Sequence, residues 1–197
     1  MIITVVTAGM STPSSTHLLG ERLAKATADR LEASDQAVEV RTVEVRELAS
    51  DLVNFLGTRV PSARLREAFD AVAQASGVIA VTPIWNASYS GLFKLFFDAL
   101  EEGSLKGRPA LLAATGGSAR HSLAIDSALL PLFFYLKATV APTAVFAATE
   151  DWGSDESGLD RRIERAGREF ADLVAATPAP EASDEFAVVD FEQLLRG

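Results

Sequence analysis

The sequence of 197 residues contains no cysteine and only two histidines. The lack of cysteine excludes a disulfide framework, a thiolate nucleophile and a thiolate metal site. Because the histidines are only His17 and His121, a metal site would need clustered carboxylates, and the acidic residues are not spaced for one. We therefore expect no metal site, and we expect both histidines to lie on the surface.

Long apolar runs and clusters of basic residues are also missing. No stretch approaches the roughly 20 apolar residues that span a bilayer, and the N-terminal MIITVVTAG has no charged leader. The 18 Lys and Arg residues against 27 Asp and Glu residues give a formal charge of −9, which opposes binding to nucleic-acid phosphates. We expect a cytoplasmic protein without a nucleic-acid or membrane partner.

Hydrophobic residues make up 48% of the chain, enough for one substantial core. Short apolar runs alternate with segments of helical periodicity, which is typical of a parallel sheet covered by helices on both faces. The segment VEVRTVEV (38–45) instead alternates, as an edge strand does. These patterns predict an α/β fold, a flavodoxin-like, doubly wound five-stranded parallel sheet in the order 2-1-3-4-5. The apolar runs are IITVVT (2–7), VIAV (78–81), ALLAA (110–114) and TAVFA (143–147).

The chain divides into a domain and a tail. Residues 1–176 are predicted to form one domain, in which 46–61 gives only a weak signal, that of a loop with a helical turn. Residues 177–197 begin with the linker-like TPAPEASDE and end in FAVVDFEQLLRG, whose apolar side chains would be unfavourable in a free tail. We predict an acidic linker followed by an arm that docks across a dimer; the alternative is a disordered tail.

Three segments follow strands at the carboxyl edge of the predicted sheet, where ligands bind in this kind of fold. The first, AGMSTPSST (8–16), is rich in hydroxyl groups and precedes a helix, whose free N–H groups and dipole favour an anion. It lacks the GxxxxGK[ST] and GxGxxG patterns of nucleotide-binding loops. A phosphomonoester is the expected ligand, and an ordinary capped turn is the alternative.

The other two segments suit a flat ring. The predicted loop 82–90 offers an apolar surface from Pro83 to Trp85 and backbone amides at 85–87. The segment 115–122 begins with TGG, whose small residues let backbone N–H groups reach a carbonyl or an anionic ring nitrogen. A phosphate at one end and a planar heteroaromatic ring with a polar rim at the other describe FMN.

Three segments resemble the flavin loops of the NADPH-dependent FMN reductases. They are AGMSTPSST (8–16), TPIWNASYSGLFKLFFDAL (82–100) and TGGSARHS (115–122). Within that flavodoxin-like family, the sequence is most similar to the type that supplies reduced FMN to luciferase-like monooxygenases. The resemblance spans roughly residues 2–175 in element order. Two features depart from it, since Thr12 and Pro13 stand where many members carry Arg, and Ile84 and Trp85 replace an acidic-tyrosine pair.

The resemblance implies hydride transfer from NADPH or NADH to FMN, without a catalytic side chain, and a flavin-dependent monooxygenase as a possible partner. It assigns the phosphate of FMN to Ser11, Ser15 and Thr16. The ring is assigned to Pro83, Ile84, Trp85 and Asn86, and its pyrimidine edge to Thr115, Gly116, Gly117 and Ser118.

Several alternatives share these features. A flavodoxin-type electron carrier would bind FMN without a substrate pocket, and a quinone, azo or chromate reductase would use the same flavin. A flavin-free interaction domain on the same fold is a further alternative. The apolar residues of 92–100 and of LLPLFFYL (129–136) exceed what a core helix requires, which predicts a homodimer.

Overall fold

The computed structural model describes residues 1–153 and 158–178. Strands and helices mostly alternate along these residues, except that α2 is followed by α3, β3 by β4 and β6 by β7. Short 3₁₀ turns follow β2, β5 and β7, and one turn of π-helix precedes α5. The bounds are β1 Ile2–Thr7, α1 Ser15–Glu32, β2 Glu39–Glu44, α2 Ala49–Thr58, α3 Ala63–Ala73, β3 Gly77–Trp85, β4 Ser88–Tyr89, α4 Gly91–Ala99, β5 Pro109–Gly116, α5 Leu130–Tyr135, β6 Thr139–Val140, β7 Val145–Ala148 and α6 Leu159–Ala176.

The sheet is parallel and has the predicted flavodoxin-like order. Strands β2, β1, β3 and β5 lie side by side, with β2 at the edge. Both β6 and β7 pair with β5, β6 at Pro109 and Ala110 and β7 along 113–116. Together they occupy the fifth position, so the order 2-1-3-4-5 is confirmed with a fifth strand that is interrupted at 141–144.

Helices cover both faces of the sheet because successive strand residues point in opposite directions. On one face, Ile79 and Leu111 pack with residues of α1 and α6. On the other, Val78 and Leu112 pack with residues of α2, α3, α4 and α5. Both faces of the central strands are therefore buried, which explains their continuous apolar sequences.

Three helices, α1, α3 and α4, begin with a serine cap. Ser14, Ser62 and Ser90 each stand before a helix, and each side chain accepts a hydrogen bond from the backbone N–H three residues later. Such a cap satisfies one of the free N–H groups of the first turn. The start of α1, beside the expected ligand, is fixed in this way.

Two local predictions were wrong. Residues 49–58 form a regular helix rather than a loop, and Leu52 anchors it in the core while most of its other side chains are exposed. Residues 82–90 are a hairpin rather than a loop, because β3 continues to Trp85 and turns back as β4. In the described part of the chain, no helix has the length and hydropathy to cross a membrane. The predicted arm, beyond residue 178, lies outside the described residues.

Candidate functional site

The first predicted segment joins β1 to α1 at the carboxyl edge of the sheet. Ser15 is exposed in the first turn of α1, where the helix itself offers no acceptor for the backbone N–H groups. Gly9 is needed for the approach to the helix, since a Cβ atom there would lie 2.0 Å from the Ser14 Oγ atom. The segment therefore presents hydroxyl groups and free amides at one helix end.

A buried hydrogen bond ties this segment to the third one. The hydroxyl groups of Thr16 and Thr115 are 2.8 Å apart, and both side chains are almost fully buried. Thr115 is near the end of β5, so the contact joins residues from α1 and β5 across β3. It fixes the distance between the predicted phosphate end and the predicted ring end of the site.

The second segment is the hairpin of β3 and β4. Its two turn residues, Asn86 and Ala87, have positive φ values of 47° and 68°, as in a type I′ turn. Trp85, just before the turn, is 50% exposed. The hairpin therefore holds a large aromatic surface at the carboxyl edge of the sheet.

The third segment, at the end of β5, contains two consecutive glycines, Gly116 and Gly117. A Cβ atom at Gly116 would lie 2.8 Å from the Phe146 ring, whereas one at Gly117 would meet no atom within 4 Å. The backbone of Gly117 is thus open to a ligand. Ser118 caps the following 3₁₀ turn and accepts hydrogen bonds from Arg120.

A fourth segment, which sequence reasoning missed, follows β7. Asp151 accepts a hydrogen bond from the Ala148 backbone N–H at 2.9 Å and pairs with Arg162 at 3.1 Å. This turn positions Trp152. No pattern in the sequence indicated it, because its position depends on how the interrupted fifth strand ends.

The four segments enclose a cleft of about 600 Å³. Of the predicted cofactor-binding residues, only Asn86 and Ser118 are missing from its lining, so the structure brings the other members of the set together. No charged side chain is among the lining residues, all of which belong to the described part of the chain. They are Met10, Ser11, Ser15, Thr16, Pro83, Ile84, Trp85, Thr115, Gly116, Gly117, Ala147, Thr149 and Trp152.

A second hollow, of about 610 Å³, lies on the outer side of the first segment and shares Ser11, Ser15 and Trp152 with the cleft. It is lined by charged residues that the sequence reasoning did not place there. His17, expected on the surface, is partly buried between Glu21 at 3.3 Å and Glu44 at 3.7 Å.

The chain is similar to several known proteins. The chain is 44% identical to the solved structure of an oxidoreductase from Corynebacterium diphtheriae, with a TM-score of 0.87 over 90% of this chain and 98% of that one. It is 35% identical over 181 residues to the NADH-dependent FMN reductase SfnF of Pseudomonas putida, covering 92% of this chain and 95% of the relative.

The FMN reductase (NADPH) of Pseudomonas aeruginosa is 31% identical over 150 residues, 76% of this chain and 78% of its own. The model of the NADPH-dependent FMN reductase family matches residues 1–153. The chain therefore belongs to the NADPH-dependent FMN reductase family, whose reactants are FMN and a reduced nicotinamide nucleotide.

Proposed function

We propose that the cleft binds FMN, with the phosphate at the N-terminus of α1 and the ring between the hairpin and the 115–117 segment. The observation that carries this proposal is the convergence of Ser11 and Ser15, Pro83 to Trp85, and Thr115 to Gly117 on one cleft. Its volume of about 600 Å³ suits a small-molecule cofactor, for which pockets of about 300–1,000 Å³ are typical.

At the phosphate end, the ligands are hydroxyl and amide groups. The Ser11 and Ser15 hydroxyls and the first-turn amides of α1 meet the anion, and the helix dipole favours its charge. The Thr16 hydroxyl bonds to Thr115, so Thr16 contributes chiefly through its backbone N–H. None of the described residues that line the cleft is an Asp or Glu, and this supports the placement of the phosphate there.

At the ring end, the chain supplies a surface and backbone donors. Pro83, Ile84 and Trp85 contact a face of the ring, and the amides of Thr115 to Gly117 hydrogen-bond its polar edge. FMN supplies the hydride acceptor when bound, and such a transfer needs orientation rather than a general acid or base. The amides also favour negative charge at the edge that they face.

Steady-state oxidation of NADH and of NADPH with free FMN tests the proposed reaction. Turnover that saturates with FMN supports the reductase. Binding of FMN without oxidation of either nucleotide would instead indicate an electron carrier. Faster turnover with a quinone, an azo dye or chromate than with FMN would assign the flavin to another acceptor.

We further propose that the protein is cytoplasmic, where reduced nicotinamide nucleotides are available, and that reduced FMN leaves for a flavin-dependent monooxygenase. The exposure of Trp85 at the mouth of the cleft is compatible with release of the flavin. Addition of a reduced-flavin-dependent monooxygenase should couple nucleotide oxidation to substrate oxygenation. Retention of all reduced flavin by the reductase on gel filtration would oppose this role.

A homodimer is also proposed. Phe93, Phe96 and Phe97 are fully buried within one chain, so they offer no surface to a second copy. Phe134 and Tyr135, by contrast, are 59% and 83% exposed in adjacent positions of α5. Aromatic residues of this exposure are typical of interfaces. Sedimentation should give a dimer at micromolar concentration, and a Phe134→Ser, Tyr135→Ser variant should be monomeric; a monomeric parent would oppose the proposal.

The domain boundary at residue 176, where α6 ends, is part of the same proposal. We infer that residues 1–176 contain the whole FMN site and that 177–197 contribute to the dimer. A chain that ends at residue 176 should bind FMN like the full chain and dimerise more weakly. Loss of FMN binding by that chain would contradict the boundary.

A further inference from the structure

The phosphate-side segment is held by a guanidinium group from a neighbouring strand. Arg46 follows β2, and its Nη1 atom donates to the Ser11 carbonyl oxygen at 3.0 Å and to the Thr12 hydroxyl at 2.6 Å. The sheet explains how it reaches them, because Glu44 pairs with Thr7 in the parallel register of β2 and β1. Both strands therefore end at the same edge of the sheet.

One acidic neighbour, Glu44, holds Arg46 in this position. Its Nη2 atom lies 3.0 Å from the Glu44 Oε2 atom. Glu44 also faces His17, which contacts Glu21 on the same helix. Within the described residues, Arg46 is the single Lys or Arg side chain that lines the hollow outside the segment.

We propose that Arg46 is a positioning residue for the phosphate group of the flavin; this inference rests on the proposed function. Ser11, whose carbonyl oxygen accepts a hydrogen bond from Arg46, also lines the cleft. The two donated bonds fix the backbone at 11 and 12, and so the direction of the Ser11 amide and hydroxyl. The guanidinium group lies next to the segment, and its charge is paired with that of Glu44.

The mode of action follows from the partners of each nitrogen. Nη1 donates to both Ser11 and Thr12, and Nη2 faces Glu44. The proposed role of Arg46 is therefore exerted through Ser11 and Thr12. Hydrogen bonds from a charged donor are about twice as strong as neutral ones. Their loss would leave the serine free to move, and only a ligand that carries phosphate would lose affinity.

The experiment compares the Kd of FMN with that of riboflavin, which has the same ring without the phosphate. Arg46→Met removes the donors and the charge, and Arg46→Lys keeps the charge with fewer donors. Arg41→Met is the matched control, since Arg41 lies in β2, five residues before Arg46, but pairs with Glu39 and Gln74. The melting temperature of each variant is measured in parallel.

We expect Arg46→Met, which removes both donated hydrogen bonds, to weaken FMN binding about tenfold and to leave riboflavin binding within about twofold. The FMN affinity of Arg46→Lys should lie between those of the parent and Arg46→Met, and that of Arg41→Met should equal the parent's. In turnover, Arg46→Met should raise the KM for FMN and leave kcat unchanged.

A folded Arg46→Met variant with the parent ratio of FMN to riboflavin affinity would overturn the inference. If that variant does not fold, the Thr12→Val variant tests the inference instead, because it keeps Arg46 and removes one acceptor of its hydrogen bonds. Thr12→Val should weaken FMN binding about threefold and spare riboflavin; equal effects on both ligands would overturn the inference. A parent protein that binds neither ligand would instead contradict the proposed function.

Discussion

The Thr16 and Thr115 hydroxyl groups form a buried hydrogen bond of 2.8 Å between the start of α1 and the end of β5. These residues are 99 positions apart in the chain, and both side chains are at most 5% exposed. One hydroxyl group donates to the other, so each has a partner although both side chains are buried. The bond therefore couples the phosphate end of the cleft to its ring end.

Thr115→Val should destabilise the protein by about 1–2 kcal/mol, because it leaves the Thr16 hydroxyl buried without this partner. Thr16→Val should have a similar cost. The double variant should cost less than the sum, since replacing both partners by apolar groups of the same shape removes the unsatisfied group. Urea unfolding measures all three, and strictly additive costs would contradict the coupling.

Gly9→Ala should disturb the segment before α1. Its Cβ atom would lie 2.0 Å from the Ser14 Oγ atom, so the cap must shift. We expect a loss of about 1 kcal/mol or more, the typical value of an N-cap, together with weaker FMN binding. Gly57→Ala in the exposed part of α2 is the control; it meets no atom within 4 Å and should be neutral or stabilising. Equal effects of the two substitutions on unfolding would contradict the role of Gly9.

Ser15→Asp should abolish FMN binding, because a carboxylate at the start of α1 would repel the phosphate. Riboflavin binding should change little. Asn54→Asp adds the same charge on the exposed side of α2 and should leave both affinities unchanged. Equilibrium titration with each ligand measures the effect, and an unchanged FMN affinity in Ser15→Asp would show that the phosphate is bound elsewhere.

Glu169 should contribute stability that depends on pH. The hydrogen bond from Arg165, at 2.8 Å, lowers the pKa of the Glu169 carboxyl below its ordinary value of 4.5. The contribution of Glu169 to the stability of the fold is therefore fully present above the pKa that its carboxyl has in the unfolded chain. It is lost as the pH falls through the lower pKa of the folded state. Unfolding of the parent and of Glu169→Gln at pH 6 and at acidic pH checks this.

The parent should be the more stable protein at pH 6, and the difference should shrink in acid. Glu164→Gln, an exposed acid on the same helix, controls for net charge. A difference between the parent and Glu169→Gln that grows as the pH falls would have the wrong sign.

The sheet order could be predicted because Ile79, Leu111 and their neighbours form continuous apolar runs that suit a sheet buried on both faces. The hairpin was missed because its turn contains Asn86 and Ala87 rather than the Asn-Gly that marks such turns. The helix at 49–58 was missed because Leu52 is its one fully buried side chain, which leaves a weak periodic pattern.

The parts of the site that follow strand ends could likewise be predicted, because the carboxyl ends of parallel strands lie at one edge of the sheet. Arg46 and Trp152 could not. Arg46 reaches Ser11 from 35 residues away, and Trp152 depends on the turn that Asp151 and Arg162 hold. Such contacts depend on three-dimensional packing, for which a single sequence offers no short-range pattern.

The most direct test of the central claim is a titration of the protein with FMN, followed by tryptophan fluorescence. The chain has two tryptophans, Trp85 and Trp152, and both line the cleft. We predict saturable quenching with one FMN per chain, and weaker binding of FMN and riboflavin alike by Trp85→Ala. Fluorescence that does not change up to millimolar FMN, in a folded protein, would contradict the account.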